Sequence, residues 1–198
     1  MRKIIFLTLI MILGMSSVGK SDTPSVFDKN RMSSDGISAG WLSCKNGATS
    51  WTNESIARHH CACYFDWYRT IFIKSGDIGI SNVLKDKEKL QSITNECYKF
   101  ALVQPKNSFG RGSPQSNYES SALATSSIVS GQVGCENQIS GKLTKYKIKL
   151  CGCITDYSRT LYKKYGRDKF YKSFASQSGN IFKLLMNKES YCEKYAKE

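Results

Sequence analysis

Two stretches of the chain decide the fold: CACYFDWYRTIFIKSG at residues 61–76 and CGCITDYSRTLYKKYG at residues 151–166. When one is laid over the other with a shift of 90 residues, seven of the sixteen positions are identical and no gap is needed. The identities are Cys61/Cys151, Cys63/Cys153, Asp66/Asp156, Arg69/Arg159, Thr70/Thr160, Lys74/Lys164 and Gly76/Gly166. Such agreement indicates a tandem duplication of one small unit.

The other cysteines extend the match outward from these stretches. They complete a first set of Cys44, Cys61, Cys63 and Cys97 and a second set of Cys135, Cys151, Cys153 and Cys192. Because each residue of a helix turns by about 100°, the two cysteines of a Cys-x-Cys point about 200° apart and can bond different neighbours. We predict two disulfides within each set, each joining an outer cysteine to the central pair. The spacing leaves open which outer cysteine takes which central one.

The N-terminus predicts export, which leads to compartments where disulfides persist. Arg2 and Lys3 precede a largely apolar run from Ile4 to Leu13, and the small residues Ser17 and Gly19 follow. This order is typical of a signal peptide, and the run is too short to span a bilayer. No second apolar run of spanning length follows. We therefore expect a protein of the periplasm or the cell exterior that is not integral to the membrane.

Composition divides the chain into five segments. Residues 104–127 contain seven serines, two prolines and two glycines, with too few large apolar groups to form a core, which predicts a linker. The predicted segments are a signal peptide at 1–19, a loose N-terminal segment at 20–36, a first four-cysteine helical repeat at 37–103, the linker at 104–127 and a second, basic repeat at 128–198. Units of this size have small cores, so two disulfides per unit are an expected reinforcement.

Helical spacing and capping residues predict a mainly α fold. Asn53 can cap a helix that ends at Gly76, and a second helix starts near Asp86. The second unit repeats this pattern, with a helix that ends at Gly166. We also expect a short helix that carries the first cysteine of each set. In KYKIKL at residues 145–150, basic and larger side chains alternate, which is also typical of a strand.

The chain is strongly basic. Its formal charge is +13 at pH 7, and loss of Arg2 and Lys3 with the signal peptide leaves +11. From Cys135 to the C-terminus there are 14 Lys or Arg against 6 Asp or Glu, and from Cys44 to Ala101 there are 8 against 6. An excess concentrated in one half predicts an acidic partner, such as an exported protein, an anionic envelope surface or nucleic acid, and the predicted export disfavours nucleic acid. The alternative is that the charge only maintains solubility.

The two histidines stand directly before the first Cys-x-Cys, in HHCAC at residues 59–63. Such donors can bind zinc or copper. The second unit has Lys149 and Leu150 in place of the histidines yet keeps both cysteines, so we predict no metal and no cofactor. Outer cysteines available for pairing also disfavour a redox role for Cys-x-Cys. No motif of nucleophilic catalysis is present, and we predict no catalytic residue.

The Asp-x-x-Arg of each repeated stretch has two interpretations. Spaced by three on a helix, Asp66/Arg69 and Asp156/Arg159 can each form a salt bridge along the helix surface. Alternatively, the charged side chains contact an acidic ligand that is presented to both units. The candidate ligand-contact residues are Asp66, Arg69, Lys74, Asp156, Arg159, Lys163, Lys164 and Arg167, and Lys169 and Lys172 would extend the patch of the second unit.

These patterns together predict an exported, non-catalytic binding protein, located in a periplasm or outside the cell. Its two helical units would capture an acidic protein or an anionic envelope surface bivalently, with the linker setting the effective concentration of the second contact. The alternative is a secreted effector or a small thiol-redox protein that uses Cys-x-Cys.

Overall fold

The computed structural model describes residues 32–106, 123–141, 145–176 and 180–197. Within these ranges the chain forms seven α-helices and no strand, which confirms the predicted helical fold. The helices are α1 (Ser34–Ala48), α2 (Glu54–Lys85), α3 (Lys87–Leu102), α4 (Thr125–Gln138), α5 (Lys145–Tyr165), α6 (Arg167–Ser176) and α7 (Asn180–Lys197). The predicted signal peptide at 1–19 and most of the predicted linker lie outside the described residues.

The predicted Asn53 cap, a helix start at the predicted Asp86 and the two predicted glycine turns position several of the helices. The side chain of Asn53 accepts a hydrogen bond from the backbone N–H of Ile56 at 3.0 Å and starts α2. Asp86 caps α3 in the same way. Gly76 and Gly166 both have positive φ, at 57° and 77°, which bends α2 and separates α5 from α6. Each half therefore has a long helix that turns at a glycine before the helix with the last cysteine.

Two helices begin earlier than the composition predicts. The helix α1 starts at Ser34, inside the segment predicted to be loose at 20–36, and α4 starts at Thr125, inside the linker predicted at 104–127. Both residues are fully buried. Tertiary contacts order these helix ends, and serine-rich composition carries no signal of such contacts. The two helices have 15 and 14 residues, so they are longer than the short helices expected.

The segment KYKIKL at residues 145–150 is the first part of α5, so the strand alternative is wrong. Tyr146 and Leu150, four residues apart, belong to one core cluster. Lys147 is buried, and its Nζ donates to the backbone carbonyls of Ile139 and Gly141 at 2.6 and 2.5 Å. Lys147 buries its aliphatic stem so that its amine reaches the end of α4. Because this lysine occupies an inward-facing position of the helix, the segment has the alternating pattern that is typical of a strand.

All eight cysteines are paired. The bonds are Cys44–Cys61, Cys63–Cys97, Cys135–Cys151 and Cys153–Cys192. Each bond lies within its own set, and each central pair divides its two members between the two outer cysteines, as the helical geometry predicts. The structure also decides the order that spacing left open, because the first outer cysteine takes the first central one in both sets.

The two halves, residues 32–106 and 123–197, share one core. Helices α1 and α4 pack against each other, and each also packs against both long helices, α2 and α5. Outside this group, α3 packs on α2, and α7 packs on α5. The largest core cluster combines Ile37, Trp41 and Phe65 of the first half with Ile128 and Leu161 of the second. The halves are therefore not separate modules whose spacing is set by a flexible linker.

One corresponding pair of glycines packs differently in the two halves. Gly40 and Gly131 each lie four residues before the first cysteine of their set. A Cβ added at Gly40 would lie 2.5 Å from Cζ of Phe65, and one added at Gly131 would lie 3.9 Å from the side chain of Thr155. The close approach of α1 to the large ring of Phe65 therefore requires glycine only in the first half.

We expect opposite effects from alanine at these two glycines. Gly131→Ala should stabilise the protein by up to about 1 kcal/mol because alanine costs less backbone entropy in a helix. Gly40→Ala should destabilise it by about 1–3 kcal/mol because the ring of Phe65 must move. Urea unfolding of the oxidised proteins measures both, and a shift of the same sign in both variants would contradict the packing described.

Candidate functional site

The first Asp–Arg pair binds the start of a helix in the other half. Oδ1 of Asp66 accepts the backbone N–H of Thr125 at 2.8 Å. Arg69 donates from Nη1 to this carboxylate at 3.2 Å and to Oγ1 of Thr125 at 3.1 Å, and from Nη2 to the carbonyl of Leu123 at 2.7 Å. Ala124, which precedes α4, makes no side-chain cap, so Asp66 supplies it. We call this group the Asp66 clasp.

The second pair makes the reciprocal contact, which we call the Asp156 clasp. Oδ1 of Asp156 accepts both the backbone N–H of Ser34 at 3.1 Å and its hydroxyl at 2.8 Å. Nη1 of Arg159 donates to Asp156 at 2.7 Å, to Oγ of Ser34 at 3.1 Å and to the carbonyl of Met32 at 2.8 Å. Each half therefore binds the first backbone N–H of the other half's first helix, in addition to the cap that Ser33 gives α1, and each charged pair bonds backbone as well as side-chain groups.

Both Asp–Arg pairs are buried, and this burial limits what they can contact. Asp66 has no exposed surface, and Arg69, Asp156 and Arg159 are at most 5% exposed. Both predicted salt bridges exist, with N–O distances of 3.2 and 2.7 Å, but they face another helix and do not lie on a surface. These four candidate ligand-contact residues have no face to present to a ligand, so any acid-binding surface must use other cations.

Sequence reasoning did not identify the partners of the clasps, Ser34 and Thr125. A signal for them exists, because each of these hydroxyl residues stands ten positions before the first cysteine of its set. The match was not apparent because both residues lie in serine-rich segments that composition assigns to loops.

The sulfurs of both Cys-x-Cys pairs are buried. Cys61, Cys63 and Cys151 have no exposed surface and Cys153 has 3%. All four are bonded to outer cysteines, so neither Cys-x-Cys forms a disulfide across one residue. A thiol-redox protein needs an accessible sulfur that can become a thiolate, and this arrangement offers none in the oxidised state.

The histidines that precede the first Cys-x-Cys are buried as well. Nε2 of His59 lies 3.3 Å from the carbonyl oxygen of Pro105. The ring of His60 lies among Trp51, Tyr64 and Tyr98, with centroid distances between 5.6 and 6.4 Å. Burial lowers the pKa of His60 from 6.5 to about 4, opposed by a hydrogen bond to the backbone of Cys97. His60 is therefore a neutral core residue at physiological pH.

No metal cluster forms around these residues. In the part of the chain that the structure describes, no group of three or more His, Cys, Asp or Glu side chains could hold an ion. The cysteines that would complete such a site beside the histidines are consumed in disulfides.

Exposed cations gather where α5 turns into α6. Around the left-handed Gly166, the five exposed residues Lys163, Lys164, Arg167, Lys169 and Lys172 form a patch that we call the basic corner. Asp168 is the one acidic residue between Lys163 and Lys172 in sequence. Under the corner, the buried ring of Phe170 meets Tyr162 of α5 edge to face, with the centroids 5.3 Å apart, which holds α6 against α5. Phe174 of the same helix lies 4.6 Å from Phe170.

The corresponding turn of the first half has different surface chemistry. Around Gly76, the chain exposes 46% of Ile73 and 75% of Ile78, together with Lys74 and Asp77. Of the candidate ligand-contact residues, Lys74 is thus exposed but stands beside an acid and two isoleucines. The structure brings Lys163, Lys164 and Arg167 together on one turn and does not provide an equivalent cationic cluster at Gly76.

Comparison with protein-family models, with curated proteins and with solved structures finds no match to this chain. Across the described ranges, none of the helices has the length and apolar character needed to cross a membrane. The four disulfides indicate an oxidising compartment. Function is therefore inferred from the chemistry of the residues themselves.

Loss of a clasp carboxylate should loosen a helix in the opposite half. Asp156→Ala leaves Arg159 buried without its carboxylate, which typically costs about 3–5 kcal/mol. By native-state hydrogen exchange, we expect protection to fall first at the start of α1, and Asp66→Ala should act on α4. The control Asp86→Ala removes an exposed cap and should cost about 1 kcal/mol within α3. Protection lost only within α5 in Asp156→Ala would contradict the reciprocal contact.

The burial of His60 predicts a fall in stability on acidification. The unfolded imidazole takes up a proton near pH 6.5 and the folded one only near pH 4. The unfolded state is therefore favoured progressively between these values, by up to about 1.4 kcal/mol per pH unit. The free energy of unfolding, measured in urea at several pH values, should fall less steeply on acidification for His60→Gln than for the parent protein. His59→Gln keeps His60 and serves as the control for loss of a buried imidazole. Equal pH dependence in the parent and His60→Gln would contradict the prediction.

Proposed function

We propose that the protein is an exported, non-catalytic binding protein that holds an acidic partner on its basic corner. The observation that carries this proposal is the exposure of Lys163, Lys164, Arg167, Lys169 and Lys172 around one turn with a single acid among them. Clustered cations of this kind raise the local concentration of anions and steer their approach. Export of the chain is supported by its disulfides and by the predicted signal peptide.

A binding role is favoured over catalysis by the placement of the reactive side chains. The histidines are buried, and all cysteines are paired. A general base must reach the proton that it removes, and a nucleophile must reach its substrate. The thiol-redox alternative has less support for the same reason.

The proposal includes a tandem duplication of one helical unit. It is supported by the identical order of disulfides, by the two glycine turns and by the reciprocal clasps. The two halves share a core, so a partner would meet two corners at a fixed spacing. Because only the corner at Gly166 is cationic, we assign the acidic partner to the second half and not to both.

Retention on immobilised polyglutamate and immobilised polyphosphate tests the proposal. The corner variant replaces Lys163, Lys164, Lys169 and Lys172 with Gln, and the matched control replaces the exposed residues Lys85, Lys87, Lys89 and Lys99 with Gln. Both variants lose the same net charge. We expect the corner variant to elute at clearly lower salt than the control, because clustered charges act together. If both variants elute at the same salt concentration, net charge alone accounts for retention and the proposal is wrong.

A further inference from the structure

We infer that the basic corner binds the surface of an anionic phospholipid bilayer, with α6 lying along the headgroups. This inference rests on the proposed function and names its partner class. It depends on three features of the corner: the kind of cation, an exposed aromatic ring among the cations, and the way α6 is fixed to the protein.

The cations of the corner suit headgroup phosphates better than a protein interface. Four of the five are lysines, and the centres of protein–protein interfaces are depleted of lysine and enriched in arginine and large aromatics. Lysine is a mobile point charge that tracks phosphates without fixed geometry. Clusters of four to eight Lys or Arg on an amphipathic helix are typical of anionic-lipid binding, because each cation is attracted by the negative surface potential of the bilayer.

An exposed ring among these cations provides a contact of the kind found at membrane interfaces. Tyr171 lies on α6 between Lys169 and Lys172 and is 46% exposed. Tyrosine rings favour the headgroup level because one end is apolar and the other can hydrogen-bond with water. The corresponding position in the first half is Ser81. The inner edge of the Tyr171 ring contacts Tyr162 and Phe170, with centroid distances of 6.1 and 5.6 Å, and the rest of the ring faces outward among the cations.

The attachment of α6 limits how deep the contact can reach. Its buried side, Phe170 with Phe174, packs against the core, so these rings are not available to enter the acyl region. Binding would then be superficial and dominated by charge. The Debye length falls from about 10 Å at 0.1 M salt to about 3 Å at 1 M, so such binding should be strongly salt-sensitive.

Vesicle sedimentation tests the inference with the full oxidised chain. The probes are vesicles of equal parts phosphatidylglycerol and phosphatidylcholine, and vesicles of phosphatidylcholine alone. We expect binding only to the anionic vesicles, and release at high salt. The four-lysine corner variant should bind at least about tenfold more weakly than the matched control at Lys85, Lys87, Lys89 and Lys99. Tyr171→Ser keeps every charge and should weaken binding by a smaller factor. Circular dichroism and urea unfolding verify that the variants fold.

The outcomes separate the inference from the proposed function. If the protein ignores anionic vesicles but is still retained on polyglutamate through the corner, the lipid inference fails and an acidic protein becomes the partner. If the corner variant and the control lose vesicle binding equally, the corner is not the lipid contact and the inference also fails. Retention lost on polyanions as well as vesicles would overturn both proposals.

Discussion

The buried capping of each half's first helix by the other half is the constraint on which the rest of the structure depends. A buried carboxylate and a buried guanidinium are tolerated only when they are paired and hydrogen-bonded, and here the partners include the backbone and hydroxyl of a helix start. Ser34 and Thr125 must therefore sit at Asp156 and Asp66 for either charge to be buried. Both Asp–Arg pairs take their helix-start partners from the other half, which ties the two halves together.

The clasps and the disulfides act at different levels of the fold. Every disulfide joins helices within one half, where it lowers the conformational entropy of the unfolded chain and so stabilises a small unit. The clasps join the two halves and fix their relative position through α1 and α4. The turn at Gly166 rests on the shared core through Tyr162 and Phe170, and the turn at Gly76 rests on a cluster of the first half through Ile71 and Ile80. A surface supported by packed side chains loses less entropy when a partner binds.

Local patterns in the sequence predicted the helices, their caps and the pairing of cysteines within sets, because these features depend on residues near each other in the chain. The Asp–Arg spacing of three predicted each salt bridge but placed it on a surface. Its burial depends on a helix start far away in the sequence: Ser34, which binds Asp156, is 122 residues away. Lys147 misled for a different reason: a lysine is expected at the surface, but here its stem is buried and its Nζ bonds two backbone carbonyls just after α4. Long-range polar contacts leave no periodic signal.

The charge of the corner is the feature that folding does not explain. Both halves have a positive-φ glycine at the same place, followed four residues later by an apolar side chain that packs inward, partly buried Ile80 in the first and buried Phe170 in the second. At the exposed positions of the same turn, Ile73 corresponds to Lys163 and Asp77 to Arg167. Since one backbone geometry accepts both sets of side chains, the cations at Gly166 are not needed to form the turn. Five mutually repelling charges on one turn lower the stability of the folded chain. An acidic partner would neutralise them and remove this repulsion, which is the reason to assign the corner a binding role.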